Sequence, residues 1–233
     1  MLGVHLITLH PSMMEPYTQI GILKAAQDKG IAKISPIDLR HFAVDKHGTV
    51  DSRPYGGGDG MVLRPEPLAE AVKSIPGRPY VILTTPAGKI WNQERAQELS
   101  QFLLAEKREL AIVCGRFSGV DARFVDHYVD EEVSLGQFIL SGGELVALCL
   151  LDSLLRLVPG VLGNEQSAIY DSFSEGLPHH IEQDLYSRPR EFEGLEVPPV
   201  LLSGDHQKIK EWCVDHQRAL GEPAVQFPQT PRC

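Results

Sequence analysis

The 233-residue chain is 42% apolar and 23% charged, enough apolar mass for a buried core and no tract polar enough to read as disordered. Its 22 basic and 31 acidic residues leave a net charge of −9, which argues against nucleic-acid binding through overall charge and requires any such partner to be met by a local patch. Cys114, Cys149, Cys213 and Cys233 form no C-x-x-C pair and no disulfide framework, which fits a reducing cytosol. Cys114 and Cys149 lie in apolar runs and are expected to be buried. No basic segment precedes a long apolar stretch at the start, and no run of 18 apolar residues occurs. The expectation is a soluble cytoplasmic protein with no membrane partner.

In chain order, apolar runs at 4–9, 32–39, 80–84 and 110–114 read as strands. Between and after them, 14–28, 67–74, 92–105 and 143–158 read as helices. Strands alternating with helices imply parallel strands joined by helical crossovers, hence an α/β domain. The last of these helices opens with Ser141-Gly142-Gly143-Glu144, the S-x-x-E spacing of a capping box, and runs on apolar on nearly every face. Its polar exceptions, Asp152 and Arg156, are four apart and suit an intrahelical ion pair, and Pro159-Gly160 ends it. A main domain at 1–160, a linker at 161–174 and a small, mainly helical domain at 175–233 follow from these boundaries. From 171 onward there are 6 basic and 11 acidic residues, with a helical pattern from Gly204 through Leu220.

Four glycine-bearing stretches stand out. Residues 54–61, Pro-Tyr-Gly-Gly-Gly-Asp-Gly-Met, are neither a phosphate loop, lacking Gly-Lys-Ser/Thr, nor a dinucleotide fingerprint, since Met61 stands where a third glycine is needed. By composition they suit a ligand-facing turn or a surface loop equally. Thr85-Pro86-Ala87-Gly88, the stretch 114–121 and the stretch 134–144 are three further loops, the first two directly after strands. Each alone is a turn; three together suggest a small-molecule site at strand carboxyl ends. Adjacent His179 and His180 lack a third ligand at metal spacing and read as surface residues. Arg156 on an apolar helix requires a partner, whereas Asp171 in a linker reads by itself as a turn residue.

Seven segments in register, 54–61, 114–121, 134–144, 158–163, 171–173, 186–189 and 196–204, resemble the bacterial tRNA (guanine-N1)-methyltransferases, the TrmD family of the SPOUT class. The resemblance implies a SPOUT-type knotted parallel sheet with helices on both faces, although general folding rules give knots a near-zero prior. It implies S-adenosylmethionine as methyl donor, held by Thr84, Thr85, Pro86, Gly115, Ser134, Leu135, Gly136, Gln137, Phe138, Ile139, Leu140, Gly142 and Gly143. It implies a homodimer with sites built from both chains. It implies the tRNA anticodon stem-loop, not DNA, as partner, and N1 of the guanine 3′ of the anticodon, position 37, as target. It leaves open whether a divalent cation assists.

By the same resemblance Asp171 is the general base and Arg156 contacts the guanine O6. The division suits the chemistry: a carboxylate of pKa about 3.9 is a feeble base for an amide-like N1–H unless charge developing on O6 is stabilised. Burial of the carboxylate would narrow the gap. The chain departs from the family pattern at Phe117 and Ser118, where Tyr and Glu are usual, and at Gln183-Asp184-Leu185. Glu211 and Asp215 stand where arginine is common. These departures keep two alternatives in view: a catalytically silent nucleotide-binding protein on the same fold, and an enzyme with a different RNA target.

Overall fold

The structure, a computed structural model, describes residues 1–163, 171–174 and 180–219. The chain divides into two compact units, Met1–Gly163 and Asn164–Cys233. Residues 164–170, His179, Leu220 and Cys233 lie outside the described residues, and with them parts of the expected linker, histidine pair and last helical pattern.

In the first unit, β1 (Leu2–Thr8), β2 (Ala32–Asp38), β5 (Tyr80–Ile90), β6 (Leu110–Cys114) and β7 (Glu131–Ser134) form one sheet in the order β2-β1-β6-β5-β7. Every pairing in it is parallel. Small strands β3 (Asp51–Ser52) and β4 (Val62–Leu63) pair antiparallel beside it. Parallel strands need crossovers, and helices supply them. These are α1 (Pro11–Thr18), α2 (Gly21–Asp28), α3 (Pro65–Lys73), α4 (Gln93–Glu106) and α5 (Ala122–Tyr128). Helix α6 (Glu144–Leu155) follows β7.

The near-continuous apolar strands are explained by burial on both faces. Alternate residues of β6 part company: Leu110, Ile112 and Cys114 join one cluster with Leu23, Leu99 and Leu151, while Ala111 and Val113 join another with Leu68 and Phe124. Helices α2, α4 and α6 therefore cover one face, and α3 and α5 the other.

Several local readings change. The helix expected over 14–28 is broken into α1 and α2, because Ile20 is extended and Gly21 takes φ +56°, a left-handed conformation that ends one helix and starts the next. Asn92 is not the first residue of α4 but its cap, accepting from Arg95 N at 2.8 Å. The capping box is not formed: Gly143 occupies the N-cap without a side-chain bond, and the buried Glu144 carboxylate bonds Thr8 and Arg116 instead. Cys149 is exposed on α6, not buried, and Leu145 one turn before it is 50% exposed, so that helix keeps an uncovered apolar stripe. Asp152 accepts from the Tyr17 hydroxyl at 3.1 Å.

The second unit contains β8 (His180–Ile181), β9 (Glu191–Phe192), β10 (Leu195–Glu196), α7 (His206–Asp215) and β11 (Arg218–Ala219). The helical pattern drawn through Leu220 stops at Asp215, and Arg218–Ala219 pairs antiparallel with β8. Asp205 caps α7 through Gln207 N and Lys208 N. Tyr186, Trp212 and His216 form an aromatic group in which the His216 ring stacks on Trp212 with centroids 4.1 Å apart.

Leu6 on β1 and Leu151 on α6 are both 0% exposed. Leu6→Ala is expected to lower the unfolding free energy by about 2–5 kcal/mol, read from the urea midpoint of the first unit's transition.

Candidate active site

Three loops meet along one edge of the sheet: a bulge within β5 and the loops that follow β6 and β7. Strand β5 is interrupted: Val133 pairs with both Thr84 and Lys89, so residues 85–88 loop out of the ladder. Gly88 sits where a Cβ would run into the backbone of Val133. After β6, Gly115 N donates to Thr84 Oγ1 at 3.1 Å, and that hydroxyl donates to Val113 O at 3.2 Å. After β7, Ser134 Oγ donates to Gly136 O at 3.0 Å, accepts from Gly136 N at 3.2 Å, and fixes a tight turn in which Phe138 N donates to Gly136 O at 3.0 Å.

The third loop returns against the second. Gly143 N donates to Gly115 O at 2.8 Å, and Arg116 and Gly142 form an antiparallel bridge. These contacts require bare backbone. A Cβ on Gly143 would strike Thr84 Oγ1 and come within 2.8 Å of Gly115 N; one on Gly115 would strike Thr84 O. Gly143 has φ −84°, so space rather than conformation demands glycine there.

Between the loops lies a cleft of about 260 Å³. Of the residues expected from the sequence, Thr84, Thr85, Pro86, Gly115, Ser134, Leu135, Gly136, Phe138, Ile139, Leu140, Gly142 and Gly143 line it. Gln137 is exposed on the same loop and does not line the cleft. Phe138 is 54% and Ile139 79% exposed, so apolar side chains stand at the rim over a floor of packed backbone. A cleft with a backbone floor and an apolar rim suits a flat, largely apolar ligand.

Sequence reasoning missed Arg116 and Glu144. Glu144, 1% exposed, accepts from Thr8 Oγ1 at 2.9 Å and from Arg116 Nε at 3.3 Å, while Arg116 Nη1 donates to Ser141 O at 3.1 Å. The Cys114 thiol beside them is fully buried, which pushes its pKa well up and makes it an inert core group. The glycine stretch 54–61 is tied to the β6 loop, with Ser118 N donating to Met61 O at 2.8 Å and Leu63 N to Gly119 O at 2.9 Å. Gly56, Gly57, Gly58 and Gly60 there all have positive φ. Phe117, one of the departures from the family pattern, also has positive φ, +58°, and lines the cleft with Ser118.

Arg156 follows α6 as its C-cap, half-buried in the first unit, its backbone N donating to Asp152 O at 3.3 Å. Asp171 belongs to the second unit, half-buried, and its carbonyl accepts from Ser174 N at 3.1 Å to close a turn. Among the described residues no group of three or more His, Cys, Asp or Glu is placed to hold a metal ion, and no helix is long and apolar enough to cross a membrane.

Gly143→Ala is expected to destabilise the first unit by about 1–3 kcal/mol through this overpacking. Gly163→Ala, with open space around it and no positive φ, is expected to be near neutral. Thermal unfolding of the two variants side by side checks the difference.

A family model described as tRNA (Guanine-1)-methyltransferase TrmD matches residues 2–222. The chain is 48% identical over 212 residues to the tRNA (guanine-N(1)-)-methyltransferase of Sulfurihydrogenibium sp., covering 90% of this chain and 80% of that one. It is 45% identical over 226 residues to the protein of the same name from Geotalea uraniireducens, covering 96% and 87%. Among solved structures, that of tRNA (m1G37) methyltransferase from Aquifex aeolicus matches with a TM-score of 0.74 at 43% identity, over 92% of this chain and 88% of that one.

Proposed function

The chain belongs to the tRNA (guanine-1)-methyltransferase TrmD family, and on that footing we propose that it transfers a methyl group from S-adenosylmethionine to N1 of guanine 37 in tRNA. The observation that carries this reading is the convergence of the β5, β6 and β7 loops on one cleft whose backbone packing and apolar rim fit an adenosine. We divide the chain into a knotted methyltransferase domain at 1–160, a linker at 161–174 and an RNA-binding domain at 175–233. The return of the β7 loop past the end of β5 to bond Gly115 supports the knot.

Bound S-adenosylmethionine supplies a methyl group already activated on a sulfonium, so the protein contributes alignment and proton removal. The loops around Thr84, Gly115 and Gly143 orient the nucleoside, and Phe138, Ile139 and Leu140 shed water from the rim. Guanine N1 becomes a nucleophile as its proton leaves, and we assign that proton to the Asp171 carboxylate. Charge then moves onto O6, where the Arg156 guanidinium holds it. The uncovered stripe of Leu145 and Cys149, with the exposed Phe138, Ile139 and Leu140, supports a homodimer in which each site draws on both chains. In the second unit, exposed Arg188, Arg190, Lys208 and Lys210 give the anticodon stem-loop its phosphate contacts despite the acidic total. We place the protein in the cytoplasm, with its substrate.

The decisive assay supplies unmodified tRNA transcript and S-adenosylmethionine and maps the product. N1-methylguanine at position 37 is expected; a methyl group elsewhere, or none, would overturn the reading. Repeating the assay under chelation tests assistance by a divalent cation. Asp171→Ala is expected to slow turnover by about 10²–10⁴-fold with S-adenosylmethionine affinity retained in calorimetry. Arg156→Lys is expected to lose about tenfold or more, since a point charge does not reproduce the guanidinium fork.

A further inference from the structure

A carboxylate 1% exposed in the first turn of an apolar helix is costly unless something specific holds it. The positive end of α6 offsets part of that cost. Yet the Glu144 carboxylate does not serve as the cap of its own helix, whose N-cap is Gly143. It reaches instead to two elements far away in sequence: Thr8 at the carboxyl end of β1 and Arg116 in the loop after β6. The Arg116 side chain, 21% exposed, has its second arm on Ser141 O, inside the loop that closes the cleft.

Gly142 adds an independent observation. Its φ is not in the left-handed region, so its backbone conformation does not call for glycine. A Cβ there would run into Glu144 Oε2 and lie 2.8 Å from Arg116 Cζ. The glycine is therefore needed to admit the ion pair. The β7 loop is built around the guanidinium, and the guanidinium around the buried carboxylate.

We propose that Glu144 and Arg116 are a positioning pair: they fasten residues 136–143 to the β6 loop and to β1, and thereby set the shape of the cleft before any ligand enters. Neither group is assigned contact with the reacting atoms. The proposal rests on the cleft reading above for its catalytic consequence, but not for its structural one. Preorganisation lowers the ordering cost of binding, so losing the pair raises the concentration of methyl donor required and leaves the chemical step largely alone.

The test uses the full chain with Glu144→Gln, Arg116→Gln, the double variant and Arg116→Lys. Without ligand, amide hydrogen exchange across 136–143 is expected to quicken by about tenfold or more in either Gln variant, with β1 and α4 as protected as in the unaltered protein. The double variant should be no worse than the more affected single, as for two groups acting as one unit. Arg116→Lys keeps the charge but not the two-armed reach, and should fall between. With S-adenosylmethionine and tRNA, KM for the methyl donor should rise about tenfold while kcat changes by less than about threefold. If Glu144→Gln does not fold, the arginine variants, altered at a partly solvated side chain, decide the matter. Unchanged exchange across 136–143, or additive losses in the double variant, would overturn the pair. Quickened exchange in a protein that shows no affinity for S-adenosylmethionine would leave the pair standing and overturn the cleft reading.

Discussion

The amide of Gly143 donates to the carbonyl of Gly115 at 2.8 Å, and this bond brings the loop after β7 across to the loop after β6. It forms only because neither residue carries a side chain: Thr84, just before the bulge in β5, already fills the space that either Cβ would need. Three neighbouring strands are thus locked at one end through backbone and one threonine hydroxyl. The placement of the cleft and the starting direction of α6 both depend on that contact.

The sheet supplies the rest of the geometry. Because every pair in β2-β1-β6-β5-β7 is parallel, the carboxyl ends lie on one edge and all crossover loops that begin there face the same way. Burial of both sheet faces makes that edge rigid, since β1, β5 and β6 are held from two sides by packed helices. Glycine backbone forms the floor, and the Arg116 side chain, which lines the cleft, is held by the buried Glu144 carboxylate.

Much of this was legible in the sequence where the signal was an apolar run. Strands β1, β2 and β6 and helices α3 and α4 fall close to where periodicity put them. The elements it did not show are those without such a run: β7, with Val133 as its one buried apolar residue, α5, seven residues long, and the two-residue strands β3, β4 and β8 to β11. Glycine-bearing loops marked the cleft because the first two directly follow strands. Glu144 shows the opposite case. Its spacing from Ser141 is that of a local cap, while its real partners are 28 and 136 residues away, a distance no spacing rule spans. Likewise Cys149 sits in a run whose composition says core, yet among the described residues it is exposed, on the side of α6 that also carries exposed Leu145. Recognition of the family came from seven short segments in register, not from periodicity.

A structure determined with S-adenosylhomocysteine, the demethylated form of the proposed donor, tests the central claim most directly. Its adenosine is expected between the loops at Thr84, Gly115 and Leu135–Leu140, with Gly142 and Gly143 in contact and the Gly143–Gly115 bond intact. Ligand density at any other place on the first unit, with this cleft left filled by its own side chains, would contradict it.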